Sequence, residues 1–377
     1  MKVIMVGGGT GGHIYPAIAI AEAVQEKIID SKILFIGSEE GIETKIVPKE
    51  RFSLVTIKAR GMLRKLTYKS ISSPFFAITG FFQSIGIIRS FQPQAIVATG
   101  GFVSLPVVLA GFFLRIPVIL HEGNVTPGLA TRICKWFASG ITIAFEGSRK
   151  YYKFRKVYHI GGPVRKEIIR SVKSISIQHM GIRQDLKTVL VTGGSQGAKS
   201  INNVIIDALP ELAKNNVQVI HVCGERDYQW VKEATLSSNF PFYHLIPYMY
   251  NIWDGLAAAD IVISRAGATA ISEIIAKGLP SILIPFPFSA EGHQDHNAAA
   301  LQKAGACIVI KDREFNKDNL MSELNKIIND KQSYLNMSRA SSLLGKPDAA
   351  SQFVSIMLGI LGVNLNARKR KNRSKKS

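Results

Sequence analysis

The feature that most restricts what this chain can fold into is a local pattern that occurs twice: a short β-branched strand, a run of glycines, then a helix. Lys2–Val6 runs into Gly7-Gly8-Gly9-Thr10-Gly11-Gly12 and then into helical apolar spacing over Pro16–Ile28. Thr188–Val191 runs into Gly193-Gly194-Ser195-Gln196-Gly197 and a helix over Ile201–Lys214. Strands that all run one way need a crossover helix between them, so this opening announces a parallel α/β sheet. Strands at Lys32–Ile36, Ser53–Ile57, Ala95–Ala98, Val118–Leu120 and Ile141–Ala144 follow the first opening. Val217–Val222, Ile261–Ile263, Ser281–Ile284 and Cys307–Ile310 follow the second. The openings lie 189 − 3 = 186 residues apart in a chain of 377. The pattern therefore predicts two doubly wound, Rossmann-like α/β domains facing each other across a cleft. Their expected ranges are 1–163 and 164–348, with the boundary near Gly161-Gly162-Pro163. An amphipathic helix over 349–361 is expected to pack back on the first domain, and the basic tail 362–377 is expected to be disordered.

Charge is the second constraint. Lys+Arg number 47 against 27 Asp+Glu, a net +20, and the excess is uneven. No Asp or Glu occurs from Arg51 to His121, a stretch that carries eight Lys and Arg among many Phe, Ile and Leu, and the last 11 residues hold seven basic side chains and no acid. A surface for anionic membrane, a nucleic-acid surface and simple compositional drift all fit such a bias, but no nucleic-acid motif accompanies it. No segment supplies the roughly 20 clean apolar residues of a bilayer helix. Phe102–Leu120 is broken by Pro106, Arg115 and Pro117, and Met1–Val6 is too short for a signal peptide, so the chain is expected to stay in the cytosol. Cys134, Cys223 and Cys307 are isolated, which suits a reducing compartment without structural zinc.

Ligands of open α/β sheets bind beyond the carboxyl ends of the strands, and the chemistry-bearing residues of this chain lie in those loops. Gly7-x-Gly9-x-x-Gly12 matches a dinucleotide fingerprint, with Glu39 where a ribose-binding acid would lie, although a tight turn without ligand has the same pattern. His13 begins the following helix, where the helix-terminal N–H groups disfavour its protonation; that suits a general base, and a capping histidine is the alternative. The loop Gly193–Ser200 resembles a P-loop but has Ala198 before Lys199, which argues against ATP hydrolysis while leaving backbone donors and Ser195 for a phosphate. Ser264-Arg265-Ala266-Gly267-Ala268-Thr269-Ala270-Ile271-Ser272-Glu273 is the densest cluster. Its small residues admit a diphosphate to backbone N–H groups, and Glu273, a turn inside the helix, suits ribose hydroxyls. The polar run Glu291–Asn297 suits the hydroxyls of a sugar, and His121-Glu122-Gly123-Asn124 puts an imidazole, a carboxylate and an amide at one strand end. No D-x-D pair or spaced His/carboxylate set suggests a metal.

Taken together the motifs resemble the MurG family of UDP-N-acetylglucosamine-dependent transferases. The resemblance runs from Val3 to about Leu361 and rests on Gly7-Gly8-Gly9-Thr10-Gly11-Gly12-His13, Ala98-Thr99-Gly100-Gly101-Phe102, His121-Glu122-x-Asn124, Gly161-x-Pro163-Val164-Arg165, Gly193-Gly194-Ser195-Gln196-Gly197-Ala198 and Arg265-x-Gly267-Ala268. It implies a GT-B fold and an inverting, metal-independent transfer that needs no cofactor, with the donor held mainly by the C-terminal domain. Carried over by position, Ser195 and Ala268, Thr269, Ala270, Ile271 and Ser272 resemble the diphosphate cradle, Glu273 the ribose ligand, and Met249 the residue whose backbone meets the uracil. Arg165 resembles the donor-binding arginine, Gln294 and Asn124 the GlcNAc contacts, and Thr10, Gly11 and Gly12 the loop lining the reaction centre. His13 resembles the family's proposed base, with Glu122 a second candidate. Gly123, Gly162 and Ala270 depart from the family pattern, each losing a polar side chain, and the tail after Leu365 lies outside it.

The resemblance implies that GlcNAc passes from UDP-GlcNAc to the 4-hydroxyl of undecaprenyl-pyrophosphoryl-MurNAc-pentapeptide (lipid I), giving lipid II for peptidoglycan. The expected partners are those two substrates and an anionic membrane surface, without nucleic acid, and the expected place is the cytoplasmic face of the membrane. Arg60, Arg64, Lys65 and Lys69 beside Met62, Leu63, Phe75, Phe76, Phe81 and Phe82 would form the docking face, with a place in the core as the alternative for several of the aromatics. Two other readings compete. A glycosyltransferase with a glycerolipid acceptor is disfavoured by His121-Glu122-x-Asn124 and by the Gly8–His13 loop. A nicotinamide-dependent oxidoreductase leaves the second glycine loop and the Arg265–Glu273 turn unused.

Overall fold

The computed structural model describes residues 1–60, 73–194, 197–236 and 240–363. Ser195, the docking candidates Met62, Leu63, Arg64, Lys65 and Lys69, the side chain of Phe75 and the basic tail lie outside the described residues. The chain forms two compact units. The first comprises Met1–Gly123, Pro127–Pro163 and the chain from Asp348 onward; the second comprises Asn124–Thr126 and Val164–Pro347.

The first unit holds seven parallel strands: β1 (Lys2–Gly7), β2 (Lys32–Ser38), β3 (Ser53–Ile57), β4 (Ala95–Gly100), β5 (Val118–Glu122), β6 (Gly140–Ile143) and β7 (Val157–His159). Their order in the sheet is β3-β2-β1-β4-β5-β6-β7. The second unit holds β8 (Lys187–Thr192), β9 (Val217–Val222), β10 (Tyr243–Ile246), β11 (Ile261–Ser264), β12 (Ser281–Leu283) and β13 (Cys307–Val309), ordered β10-β9-β8-β11-β12-β13 and also parallel throughout. Helices cover both faces of a parallel sheet, so its central strands are apolar along their whole length, as Val3-Ile4-Met5-Val6 and Val189-Leu190-Val191 are. Sequence reading finds these strands and misses β7 and β10. Both are edge strands whose residues are half-buried or exposed, and Tyr and His interrupt the apolar run that gives the central strands away.

The helix Ala349–Ile360 belongs to the first unit, where Phe353, Val354, Met357 and Leu358 enter the core formed by Val3, Met5, Ile14, Ile18 and their neighbours. Lys27 fastens it from outside, donating to the Ser351 carbonyl at 2.7 Å and the Ser355 hydroxyl at 2.9 Å.

Candidate functional site

Each sheet reverses its strand order once, between β1 and β4 and between β8 and β11. Loops leaving the two strands at such a point diverge to opposite faces, which opens room for a ligand at the carboxyl ends. In the first unit these loops are Gly7–Thr10 and Gly100–Val103.

His13 stands in the first turn of the helix Gly11–Lys27 and is half-buried. Its Nδ1 lies 2.9 Å from the Thr99 carbonyl oxygen. A carbonyl can only accept, so Nδ1 carries the hydrogen, and in the neutral ring the lone pair is then on Nε2, the tautomer a base needs. The Thr99 hydroxyl in turn donates to the His13 carbonyl at 2.6 Å. Gly100, at φ +113°, makes the room: a Cβ there would stand 2.6 Å from Nδ1. Of the neighbouring loop residues, Thr10 and Gly12 are exposed and Gly11 is half-buried.

Glu122 ends β5 and is only 3% exposed. The buried Tyr152 hydroxyl donates to its Oε2 at 3.5 Å, and burial together with the Glu122 charge pushes the phenol's pKa up so that it keeps its proton. His121, beside it, is held neutral: burial first, then the proximity of His13, lowers its pKa to about 3. Its Nδ1 meets the Thr142 hydroxyl at 3.0 Å, and that hydroxyl donates onward to the Leu120 carbonyl at 3.1 Å.

The dinucleotide reading fails at the first loop. The Gly9 N–H, a group that a pyrophosphate would need, already donates to the carboxylate of Glu43 at 3.1 Å, and Glu39 is an exposed residue just past β2. Sequence reading names Glu39 and misses Glu43.

In the second unit the helix Ala268–Ala276 starts from an extended Gly267, a cap residue with no side chain to offer its first N–H groups, and Gly267–Ala270 are half-buried. Such a helix end is a ready anion site. Ile271 and Ser272 are buried, and the Ser272 hydroxyl is turned back onto the Ala268 carbonyl at 2.8 Å. Glu273, 8% exposed, pairs with Arg165, whose Nη2 lies 3.7 Å from Oε1. The Arg165 guanidinium, itself buried, stacks 5.2 Å above the Trp253 ring. Burial lifts the Glu273 carboxyl to about 7, with the Arg165 charge and hydrogen bond pulling the other way. Two residues chosen from sequence 108 positions apart are thus brought side by side.

Gln294 accepts from the Phe286 N–H through Oε1 at 2.9 Å, which leaves its NH₂ group as the donor it can turn to a sugar hydroxyl. Met249 packs its sulfur against Gly255, where a Cβ would stand 2.8 Å from it. Asn124 groups with the second unit because Asn297, fully buried, holds it: Asn297 Nδ2 donates to Asn124 Oδ1 at 3.1 Å, and its Oδ1 accepts from the Val125 N–H at 2.9 Å. Sequence reading names Asn297 only within a polar run. Arg265, part of the densest motif, is turned inward onto Asp312 at 2.6 Å, the Ser200 hydroxyl at 2.9 Å and the Ile284 carbonyl at 3.1 Å, so it braces the loop. Among the described residues no three His, Cys, Asp or Glu come together as a group able to hold a metal ion.

The glycosyltransferase family 28 N-terminal domain matches residues 3–143, and the glycosyltransferase family 28 C-terminal domain matches residues 188–353. A curated protein of Halothermothrix orenii, named UDP-N-acetylglucosamine--N-acetylmuramyl-(pentapeptide) pyrophosphoryl-undecaprenol N-acetylglucosamine transferase, is 41% identical over 367 residues, covering 95% of this chain and 98% of its own. The protein of the same name from Caldicellulosiruptor saccharolyticus is 41% identical over 362 residues, 94% of this chain and 97% of its own. The chain belongs to the MurG family. The crystal structure of Acinetobacter baumannii MurG superposes with a TM-score of 0.72 at 23% identity, over 94% of this chain and 98% of that one, and agrees with the GT-B fold. A UDP-GlcNAc 2-epimerase from Neisseria meningitidis, bound to UDP-GlcNAc, has a TM-score of 0.69 at 17% identity over 95% of this chain and 100% of its own. The same fold thus serves a different reaction, and MurG membership rests on sequence kinship over the whole chain.

Proposed function

We propose that this protein transfers GlcNAc from UDP-GlcNAc to the 4-hydroxyl of lipid I, with inversion and without a metal, making lipid II at the cytoplasmic face of the membrane. Full-length kinship with relatives named for that transfer carries the reading. The first unit takes the acceptor and the second takes the donor. His13 removes the proton of the attacking hydroxyl; its tautomer supports this role, whereas Glu122 is buried and engaged by Tyr152. The hydroxyl attacks C1 of GlcNAc from the face opposite UDP, and the departing diphosphate gathers negative charge.

In the second unit the N–H groups of Ala268, Thr269 and Ala270, with Ser195 and Arg165, stabilise that charge. Removing one such donor costs about 2.7 to 4 kcal/mol, roughly 100- to 1,000-fold in rate. Glu273 accepts the ribose hydroxyls, the Met249 backbone meets the uracil, and Gln294 and Asn124 hold the GlcNAc. Thr10, Gly11 and Gly12 line the acceptor side. The deciding assay is transfer of labelled GlcNAc to lipid I; turnover should survive EDTA, and complete loss on chelation would refute the metal-free scheme.

The acceptor carries a polyprenyl chain, so the enzyme must work at a bilayer. Among the described residues no helix is long and apolar enough to cross one. Docking through the acid-free stretch fits its exposed apolar residues: Ile78 and Phe82 are 58% and 65% exposed, and Phe113 is 68% exposed, its ring 5.6 Å from that of Phe81. Arg60 stacks on Phe76 at 4.5 Å. Basic residues near an anionic surface contribute about 1 kcal/mol each. Reversing the charge of Arg64, Lys65 and Lys69 should weaken binding to anionic liposomes while leaving UDP-GlcNAc binding intact, and unchanged liposome binding would rule this face out.

A further inference from the structure

We infer that Glu43 is a positioning residue for the transfer: its buried carboxylate fills the anion site of the first glycine loop and so fixes where His13 stands. The inference rests on the assignment of His13 as the base. Glu43 has no exposed surface. Its Oε1 accepts from the N–H and the hydroxyl of Ser38, both at 2.7 Å, and its Oε2 accepts from the Gly9 N–H at 3.1 Å. Three glycines make its berth: a Cβ at Gly8 would stand 2.6 Å from Oε1, and one at Gly37 or Gly41 would run into the side chain. Among the described residues no cation pairs with it, and a buried carboxylate of that kind is costly unless N–H and O–H donors satisfy it, as they do here on both oxygens.

The consequence reaches the base through the backbone. With its N–H drawn inward to Glu43, Gly9 keeps φ at +83°, which sets the direction in which the chain enters the helix carrying His13. The Gly8 carbonyl lies against Gly101 so closely that no Cβ fits there, and the adjoining Gly100 is the residue that makes room for the imidazole. Glu43 therefore ties the ends of β1 and β2 together and presses the first loop onto the β4 loop that holds His13. A loop of this type in a dinucleotide-binding protein takes its anion from a ligand. Here the anion is covalently part of the chain, and the loop is a rigid support.

Glu43→Gln in the full-length protein tests this, because the Ser38 and Gly9 N–H groups meet different oxygens of the carboxylate and an amide offers an acceptor at only one of the two places. Two quantities are measured: amide hydrogen exchange across residues 7–12, and the kinetics of GlcNAc transfer to lipid I. The expected result is exchange faster by about tenfold or more, kcat lower by on the order of 100-fold, and an unchanged KM for UDP-GlcNAc. Unchanged exchange or unchanged kcat overturns the inference. So does an equal loss of UDP-GlcNAc binding, which would mark general damage. Ser38→Ala, which removes one of the three bonds, should move both quantities in the same direction by about threefold. If Glu43→Gln does not fold, the absence of any shift in Ser38→Ala overturns the inference instead. A wild-type protein inactive on lipid I would remove the transferase reading, with the exchange result still deciding whether Glu43 holds the loop.

Discussion

Each unit places a loop of small residues between a strand and a helix where the strand order reverses, after β1 in one and after β11 in the other, yet the two loops use a carboxylate differently. In the first, Glu43 accepts from the Gly9 N–H, just ahead of the helix that carries His13. In the second, the helix Ala268–Ala276 begins on the small residues Gly267, Ala268, Thr269 and Ala270, and its carboxylate, Glu273, sits a turn inside against Arg165. One loop holds a carboxylate on a backbone N–H ahead of its helix; the other sets its carboxylate against a guanidinium inside the helix. A shared fold opening therefore says where a ligand can bind, and the local donors and acceptors decide whether it does.

If that division is right, His13→Ala should lower transfer by roughly 100- to 10,000-fold, the usual range for a general base, with UDP-GlcNAc affinity unchanged by calorimetry. Loss of donor affinity in that variant would dissolve the distinction. Phe353→Ala, in the helix that closes the core of the first unit, should cost about 3 to 5 kcal/mol of that unit's stability in denaturant unfolding. The variant should still bind UDP-GlcNAc wherever it remains folded.

Glu273 supplies the finest test. Its carboxyl is raised from 4.5 to about 7, so the folded state holds the proton more tightly than the unfolded chain does. The stability this confers is complete below about pH 4.5 and declines as pH rises to about 7. The ionised form, needed to accept ribose hydroxyls, gains as that stability is lost. Affinity for UDP should therefore rise about tenfold from pH 6 to pH 8, following the ionised fraction of a group titrating near 7. Glu273→Gln should abolish the pH dependence, and a slope that persists in that variant assigns it to another group.

Most of the fold was legible because burial on both faces writes central strands as continuous apolar runs, and because glycines mark where strands turn into helices. Edge strands such as Val157–His159 leave no such trace. The candidate site was legible as residue types in loops: His13, Arg165 and Glu273 can each be chosen by position. Their relations were not, since a carbonyl partner for His13 comes from Thr99 and a partner for Glu273 from Arg165, both distant in sequence. Glu43 was hidden for the same reason. In sequence it is one carboxylate among several after β2, and its neighbour Glu39 fits a familiar motif better.

The sequence by itself determined two parallel α/β units, the family, and the loops in which chemistry can happen. These depend on periodicity and on glycine, which act between near neighbours in the chain. Only the tertiary structure decided which acid enters the first loop, which tautomer His13 holds and how far the Glu273 proton is retained. Those outcomes depend on burial and on donors and acceptors brought together from remote segments, where a hydrogen bond of 3 Å counts and sequence distance does not.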